Sequence, residues 1–141
     1  MPKPVSPVAE EMLETLKTRG YRSTGPRRAI IRAVVNQTRH FTAEELCQEL
    51  KDLGRATVFR SLKLMVEEGV LCRVLLEDGS LRYQLGHRDH HHHLLCGTCG
   101  RSQDLPGCDI EEQLAKASAR QGFNLSGHWL EVYGVCKSCV N

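Results

Sequence analysis

No apolar run in this sequence approaches membrane-spanning length, and its start, MPKPVSPVAEE, lacks the apolar stretch of a secretory signal. A cytosolic chain with no membrane partner is therefore expected. Neither H-E-x-x-H nor H-x-E with P-C-x-x-C occurs, so zinc hydrolase and deaminase chemistry is not expected, and neither is an enzyme with a small-molecule substrate. Acid is missing from two long stretches. Between Thr15 and Ala43 there is none, against Lys17, Arg19, Arg22, Arg27, Arg28, Arg32 and Arg39. From Leu53 to Val66 there is again none, against Arg55, Arg60 and Lys63.

The 141 residues suffice for one medium domain or two small ones, and 40% hydrophobic with 26% charged residues is ordinary for a globular chain. Seven cysteines, an odd number, in a reducing compartment favour metal ligands or free thiols over a disulfide scaffold. The chemistry is unevenly divided. Residues 1–85 hold 14 Lys/Arg against 11 Asp/Glu, net +3, and residues 86–141 hold 5 against 6, net −1. Six of seven histidines and five of seven cysteines follow Gly86. Two halves of different function are implied.

The first half reads as short helices. Val8, Met12, Leu13 and Leu16 have helical spacing, closed by Gly20. Pro26 opens a second helix with Ile30, Ile31, Val34 and Val35 on its apolar face. TAEE, Thr42 to Glu45, is a capping-box pattern before Leu46 and Leu50. RATVFRSLKLMVEEG places Val58, Leu62, Met65 and Val66 on one helical face, stopped by Gly69. A hairpin around Asp78-Gly79 follows. Helices and then a hairpin is the layout of a winged helix-turn-helix.

After Gly86 a strand, a knuckle and another strand are expected through HLLCGTCGRSQDL. Asp109 with Glu112 offers a cap for a helix running to about Gln121. FNLSGHWLEVYGVC reads as β, with Trp129, Glu131, Tyr133 and Val135 alternating against Leu130 and Val132. The resulting β-α-β-β module of about fifty residues is undersized and needs metal, a partner chain, or both.

Cys96-x-x-Cys99 and Cys136-x-x-Cys139 carry the strongest signal. Each knuckle lets two thiolates converge, and two knuckles complete a tetrahedral site of soft ligands, which points to structural zinc. Four cysteines fill that site, so the run His90-His91-His92-His93 needs its own account. In a strand it alternates, with His91 and His93 on one face and His90 and His92 on the other. One strand could feed two further sites, each closed by ligands drawn from Cys72, His87, His40, Asp104, Glu111 and His128.

TAEEL, RATVFRSL, HHHHLLCGTCG and HWLEVYGVCKSC, in this order, make residues 10–139 resemble the ferric uptake regulator family of metal-dependent repressors, most closely its zinc-uptake branch. The resemblance implies an α+β chain: an N-terminal winged helix-turn-helix DNA-binding domain (1–85), a hinge (86–89) and a small α/β dimerisation and metal-binding domain (90–141). It also implies a homodimer that binds a palindromic double-stranded DNA operator when metal is present. Arg22 matches a basic residue sent toward the minor groove, and Arg55, Thr57, Phe59 and Arg60 lie on the recognition helix. The family usually has tyrosine where Phe59 stands. The basic stretches agree, since they supply phosphate neutralisation and Arg60 can reach base edges.

Iron and peroxide sensors of the family carry a carboxylate near residues 84–85, where this chain has Gln84 and Leu85. The usual zinc-sensor cysteine near residue 86 is also absent, but Cys72 opens the wing, where zinc regulators place an interdomain ligand. The expected sensor zinc site is thus Cys72, His87, His91 and His93, one thiolate and three imidazoles. His40 and Asp104 are the rival ligands, which would tilt the chemistry toward iron, manganese or peroxide. His90, His92, Glu111 and His128 match the family's third site. Zinc, structural and regulatory, is the expected cofactor, and a metal storage or delivery protein is the alternative from another class.

Overall fold

The computed structural model describes residues 6–86 and 90–140. They fall into two compact units, Met1–Leu75 with Gly79–Arg88 and Leu76–Asp78 with Asp89–Asn141. Among the described residues no helix is long and apolar enough to cross a membrane.

The first unit begins with α1 (Pro7–Thr18) and α2 (Gly25–Val35). Thr24 caps α2 by accepting from the Arg27 N–H, and proline in the first turn removes a donor that would otherwise be orphaned. The buried stripe of α1 is Ala9, Met12 and Leu16, at spacings of three and four. Val8, expected on that face, lies one position round the helix and is exposed.

Helix α3 (Ala43–Glu49) opens with the capping box read from TAEE: Thr42 Oγ1 accepts from the Glu45 N–H at 3.1 Å, and Glu45 Oε2 accepts from the Thr42 N–H at 2.9 Å. Helix α4 (Arg55–Glu67) buries Val58, Leu62 and Met65. These meet Leu16, Ile30, Ile31, Val34, Phe41 and Leu46 in one apolar core.

Strands β1 (Leu71–Leu75) and β2 (Leu81–Leu85) form the antiparallel hairpin, with Cys72 opposite Gln84. Gly79 takes φ 86°, as the Asp-Gly turn requires. Phe41 adds a bridge to β2 by exchanging backbone hydrogen bonds with Tyr83.

The second unit contains β3 (His91–Cys96), β4 (Ser102–Pro106), α5 (Glu111–Arg120) and β5 (Glu131–Gly134). Its order is β-β-α-β: strand, knuckle and strand precede the helix as read from HLLCGTCGRSQDL, and one strand follows it, so the β-α-β-β label does not hold. Its sheet runs β4-β3-β5, with β3 antiparallel to β4 and parallel to β5. The strand read into FNLSGHWLEVYGVC is confined to Glu131–Gly134, because only there does the chain find β3 to pair with. Asp109 does not cap α5: the cap position is Ile110, and no side chain serves it. Apolar burial is sparse in this unit. Helix α5 buries no residue, and β3 supplies Leu95 and Cys96 together with two buried histidines, His92 and His93.

Candidate metal centres and nucleic-acid face

On α4, Val58, Ser61, Leu62 and Met65 face the core, and Arg55, Phe59 and Arg60 face solvent. A ring at position 59 that is 42% exposed is unusual for a phenylalanine, and the Arg55 guanidinium lies over it, 5.5 Å from the centroid. Arg55 also engages both carboxylate oxygens of Glu44, whose pKa is lowered by that hydrogen bond. Arg60 Nη2 reaches Thr57 Oγ1 at 3.5 Å, and Arg22 is exposed, its carbonyl accepting from Arg27. Basic and aromatic groups thus share the solvent face of one helix.

In the second unit the four knuckle cysteines converge. The sulfurs of Cys96, Cys99, Cys136 and Cys139 all lie within 4.8 Å of one another. Cys99 to Cys136 is 3.7 Å and Cys136 to Cys139 is 3.6 Å. A tetrahedron of zinc–sulfur bonds of about 2.3 Å has edges of about 3.8 Å, so the set fits that ion. The Cys136 and Cys99 backbone N–H groups hold the Cys96 thiol down to about 6, against burial. The Cys136 hydrogen bond and burial push Cys139 up to about 12. Four thiolates cannot share this space without a cation.

The histidine run alternates as a strand must. The rings of His91 and His93 pack edge-on at 5.0 Å, and those of His90 and His92 at 4.7 Å. Register places His93 opposite Asp104 on β4 and Glu131 on β5. Glu131 carries a role that the sequence did not reveal. Its Oε1 accepts from His93 Nδ1 at 2.9 Å and from Trp129 Nε1 at 3.1 Å. That fixes the His93 tautomer, leaving Nε2 as a lone pair, and this buried atom has no hydrogen-bond partner. Asp104 Oδ1 stands 4.0 Å from it, beyond hydrogen-bond range. A buried imidazole lone pair oriented by a carboxylate suits a metal ligand.

On the other face, His90, His92 and His128 come together. His90 Nε2 and His128 Nε2 each lie 3.2 Å from His92 Nε2. The fourth donor is Cys108, its sulfur 3.2 Å from His128 Nε2. Glu111, expected here, is not in the cluster and is exposed at the start of α5. Burial lowers the pKa of His92, outweighing the backbone bond to Leu130.

In the first unit, Cys72 on β1 and His40, next to Phe41, are both half-buried. The Cys72 thiol lies against Gly86: an ideal Cβ there would be 1.9 Å from Sγ. His87 lies outside the described residues, as does most of the expected hinge. Cys47 is half-buried against the helical core, as a packing residue.

Comparison with known proteins agrees with this architecture. A family model described as the ferric uptake regulator family matches residues 18–133. The chain is 38% identical over 136 residues to the peroxide operon regulator of Bacillus subtilis, covering 92% of each. It is 30% identical over 138 residues to the ferric uptake regulation protein of Campylobacter jejuni, covering 94% of this chain and 88% of that one. A zinc uptake regulator solved with zinc and DNA shares the fold, with a TM-score of 0.77 at 21% identity and 95% of each chain covered. The relatives matched in sequence are named as iron and peroxide regulators, and the zinc regulator's likeness is one of fold. The chain belongs to the ferric uptake regulator family, whose members are DNA-binding, metal-responsive transcriptional regulators and not enzymes.

Proposed function

We infer that the chain is a zinc-responsive repressor of zinc uptake genes, binding a palindromic operator as a metal-loaded homodimer. Its sensing ligands are Cys72, His87, His91 and His93, joining a DNA-binding domain (1–85) to a dimerisation domain (90–141) across a hinge (86–89). The observation that carries this reading is the donor chemistry at the end of the hairpin. Gln84 and Leu85 offer no carboxylate, and the Cys72 thiol fills the space that a side chain at Gly86 would enter. A thiol is thereby held where the chain leaves β2. His91 follows Gly86 by five residues, a span of at most about 18 Å of extended chain, so the thiol and the histidine face are covalently kept within reach.

One thiolate with imidazoles favours tetrahedral zinc and disfavours manganese. Zinc held by ligands from both domains is an effector whose strength equals its differential affinity for the bound and unbound arrangements. It biases the dimer toward the spacing at which two α4 faces meet two half-sites. Arg22, Arg55, Thr57, Phe59 and Arg60 then contact DNA. The test is a zinc titration of binding to a duplex selected by the zinc-loaded protein. Cys72→Ser is expected to move the midpoint by at least about tenfold. An unchanged midpoint and amplitude refutes the assignment.

A second reading is favoured by the relative named a peroxide operon regulator and by Asp104 near His93. In it His40 and Asp104 complete the site with His91 and His93, and iron, manganese or peroxide is sensed. His40→Ala and Asp104→Ala then abolish the metal response, and Cys72→Ser leaves it intact.

A further inference from the structure

A separate group of donors lies on the opposite face of β3 from His91 and His93. We propose that Cys108, in place of Glu111, is the fourth ligand of the site that the family resemblance gives to His90, His92 and His128, and that the ion held there is zinc. One thiolate with three imidazoles there selects zinc over manganese and iron(II), and the inference goes beyond the sensing site.

The Leu130 carbonyl can only accept, so the His92 ring nitrogen 3.2 Å from it, Nδ1, is the donor. In the neutral ring, Nε2 is then a bare lone pair. It points at two other imidazole Nε2 atoms, each at 3.2 Å. Only one of those can donate along its line to His92, and His128 Nε2 also meets the Cys108 sulfur at 3.2 Å, so four donor atoms crowd one small pocket. His92 itself is 4% exposed. A cation fits the four donors: zinc–nitrogen bonds of about 2.0–2.1 Å in a tetrahedron give nitrogen–nitrogen edges of about 3.3 Å. Leu130 supplies the outer hydrogen bond that metal-bound imidazoles regularly have.

The chain is shaped to bring the thiol in. Strand β4 ends at Pro106, and Gly107 turns with φ 77°, a conformation that side chains other than glycine adopt rarely. Cys108 follows directly, its sulfur 3.2 Å from His128 Nε2, and all four donor atoms lie within 4.8 Å of one another. Glu111, at the start of α5, is exposed and outside the group. A carboxylate would have made the site tolerant of hard cations, and the thiolate makes it selective for zinc.

The test uses the full-length protein with its four-cysteine zinc retained. Zinc alone is titrated against a chromophoric chelator, and alkylation of each cysteine by iodoacetamide is followed by peptide mass. Zinc is expected to slow alkylation of Cys108 at least about tenfold, and manganese is not. Cys108→Ser is expected to weaken one zinc per chain by at least about tenfold, with the four-cysteine zinc unchanged as the control for folding. His92→Ala is expected to leave Cys108 reactive with zinc present, and Glu111→Gln to change nothing. Equal Cys108 alkylation with and without zinc overturns the proposal. So does a loss of zinc in Glu111→Gln that Cys108→Ser does not share.

Discussion

Gly86→Ala is the sharpest single test of how the hairpin holds its thiol. The backbone at Gly86 does not have the positive φ that would itself penalise alanine, so the effect is steric. An added Cβ would sit 1.9 Å from Cys72 Sγ, where non-bonded atoms keep about 3.5 Å or more, an overlap of about 1.6 Å. Rotating the cysteine moves its sulfur but not its Cβ or backbone nitrogen, and these would lie 3.1 Å and 3.0 Å from the new methyl. A new rotamer therefore relieves the sulfur overlap only by displacing the thiol, and the two remaining contacts still require the chain to give by about a few tenths of an ångström. Overpacking of this kind costs about 1–3 kcal/mol. In a domain of 60–100 residues each kcal/mol lowers Tm by about 4–8 °C.

The assay pairs thermal unfolding with the zinc titration of DNA binding, in wild-type and Cys72→Ala backgrounds. Gly86→Ala is expected to lower Tm by at least about 4 °C and to raise the zinc midpoint about tenfold or more, since a displaced sulfur cannot keep a bond of about 2.3 Å. With Cys72→Ala the sulfur overlap is gone, and the same substitution should destabilise less; the difference is the coupling between the two positions. Equal Tm and equal zinc midpoint for Gly86→Ala and wild type would refute the reasoning.

Four further outcomes are expected. Glu131→Gln removes the charged acceptor of His93 Nδ1 and should weaken zinc at the His91–His93 face by about 10–100-fold, measured by chelator competition. Thr42→Ala removes the acceptor of the Glu45 N–H and should destabilise the first unit by about 1 kcal/mol in urea, with the slope unchanged. Stripping the metal from the four-cysteine site, or Cys136→Ser, should unfold the second unit while the helical circular dichroism of α1 to α4 persists. Glu44→Gln frees Arg55 from an exposed ion pair that contributes little to stability. It should tighten DNA binding by up to about fivefold and steepen its salt dependence.

Local chemistry made the first unit legible. The Thr42 capping box, the proline at the start of α2 and the Val58–Leu62–Met65 stripe each specify backbone within one or two turns. The same holds for the alternating histidines, because strand period 2 alone assigns His91 with His93 and His90 with His92. What stayed hidden depends on register and on loop path. Glu131 meets His93 because β5 runs parallel to β3 in one particular register, which no local pattern encodes. Cys108 sits in a turn with no periodicity, whereas Glu111 has a metal-ligand chemistry that reads well on paper and a helix start that carries it elsewhere. Asp109 looked like a cap and does not act as one, since the chain enters α5 through Ile110.

The two units differ in what can hold them folded. The first has an apolar core drawn from four helices and β1, enough to define its recognition helix without metal. The second buries Leu95 and Cys96 and otherwise hides polar groups, His92 and His93, that serve as candidate ligands. Apolar side chains it could have buried, Phe123, Trp129 and Val135, are left more than half exposed. In such a unit metal binding contributes folding free energy directly. If the surface offered to a second copy is ordered by the same ions, metal occupancy and dimer affinity are linked, each raising the other. Sedimentation of the chain across a zinc series should show the dimer tightening as the cysteine and histidine sites fill. A dimer constant independent of zinc, from metal-stripped to saturated protein, would break that link and return the stability of this unit to packing alone.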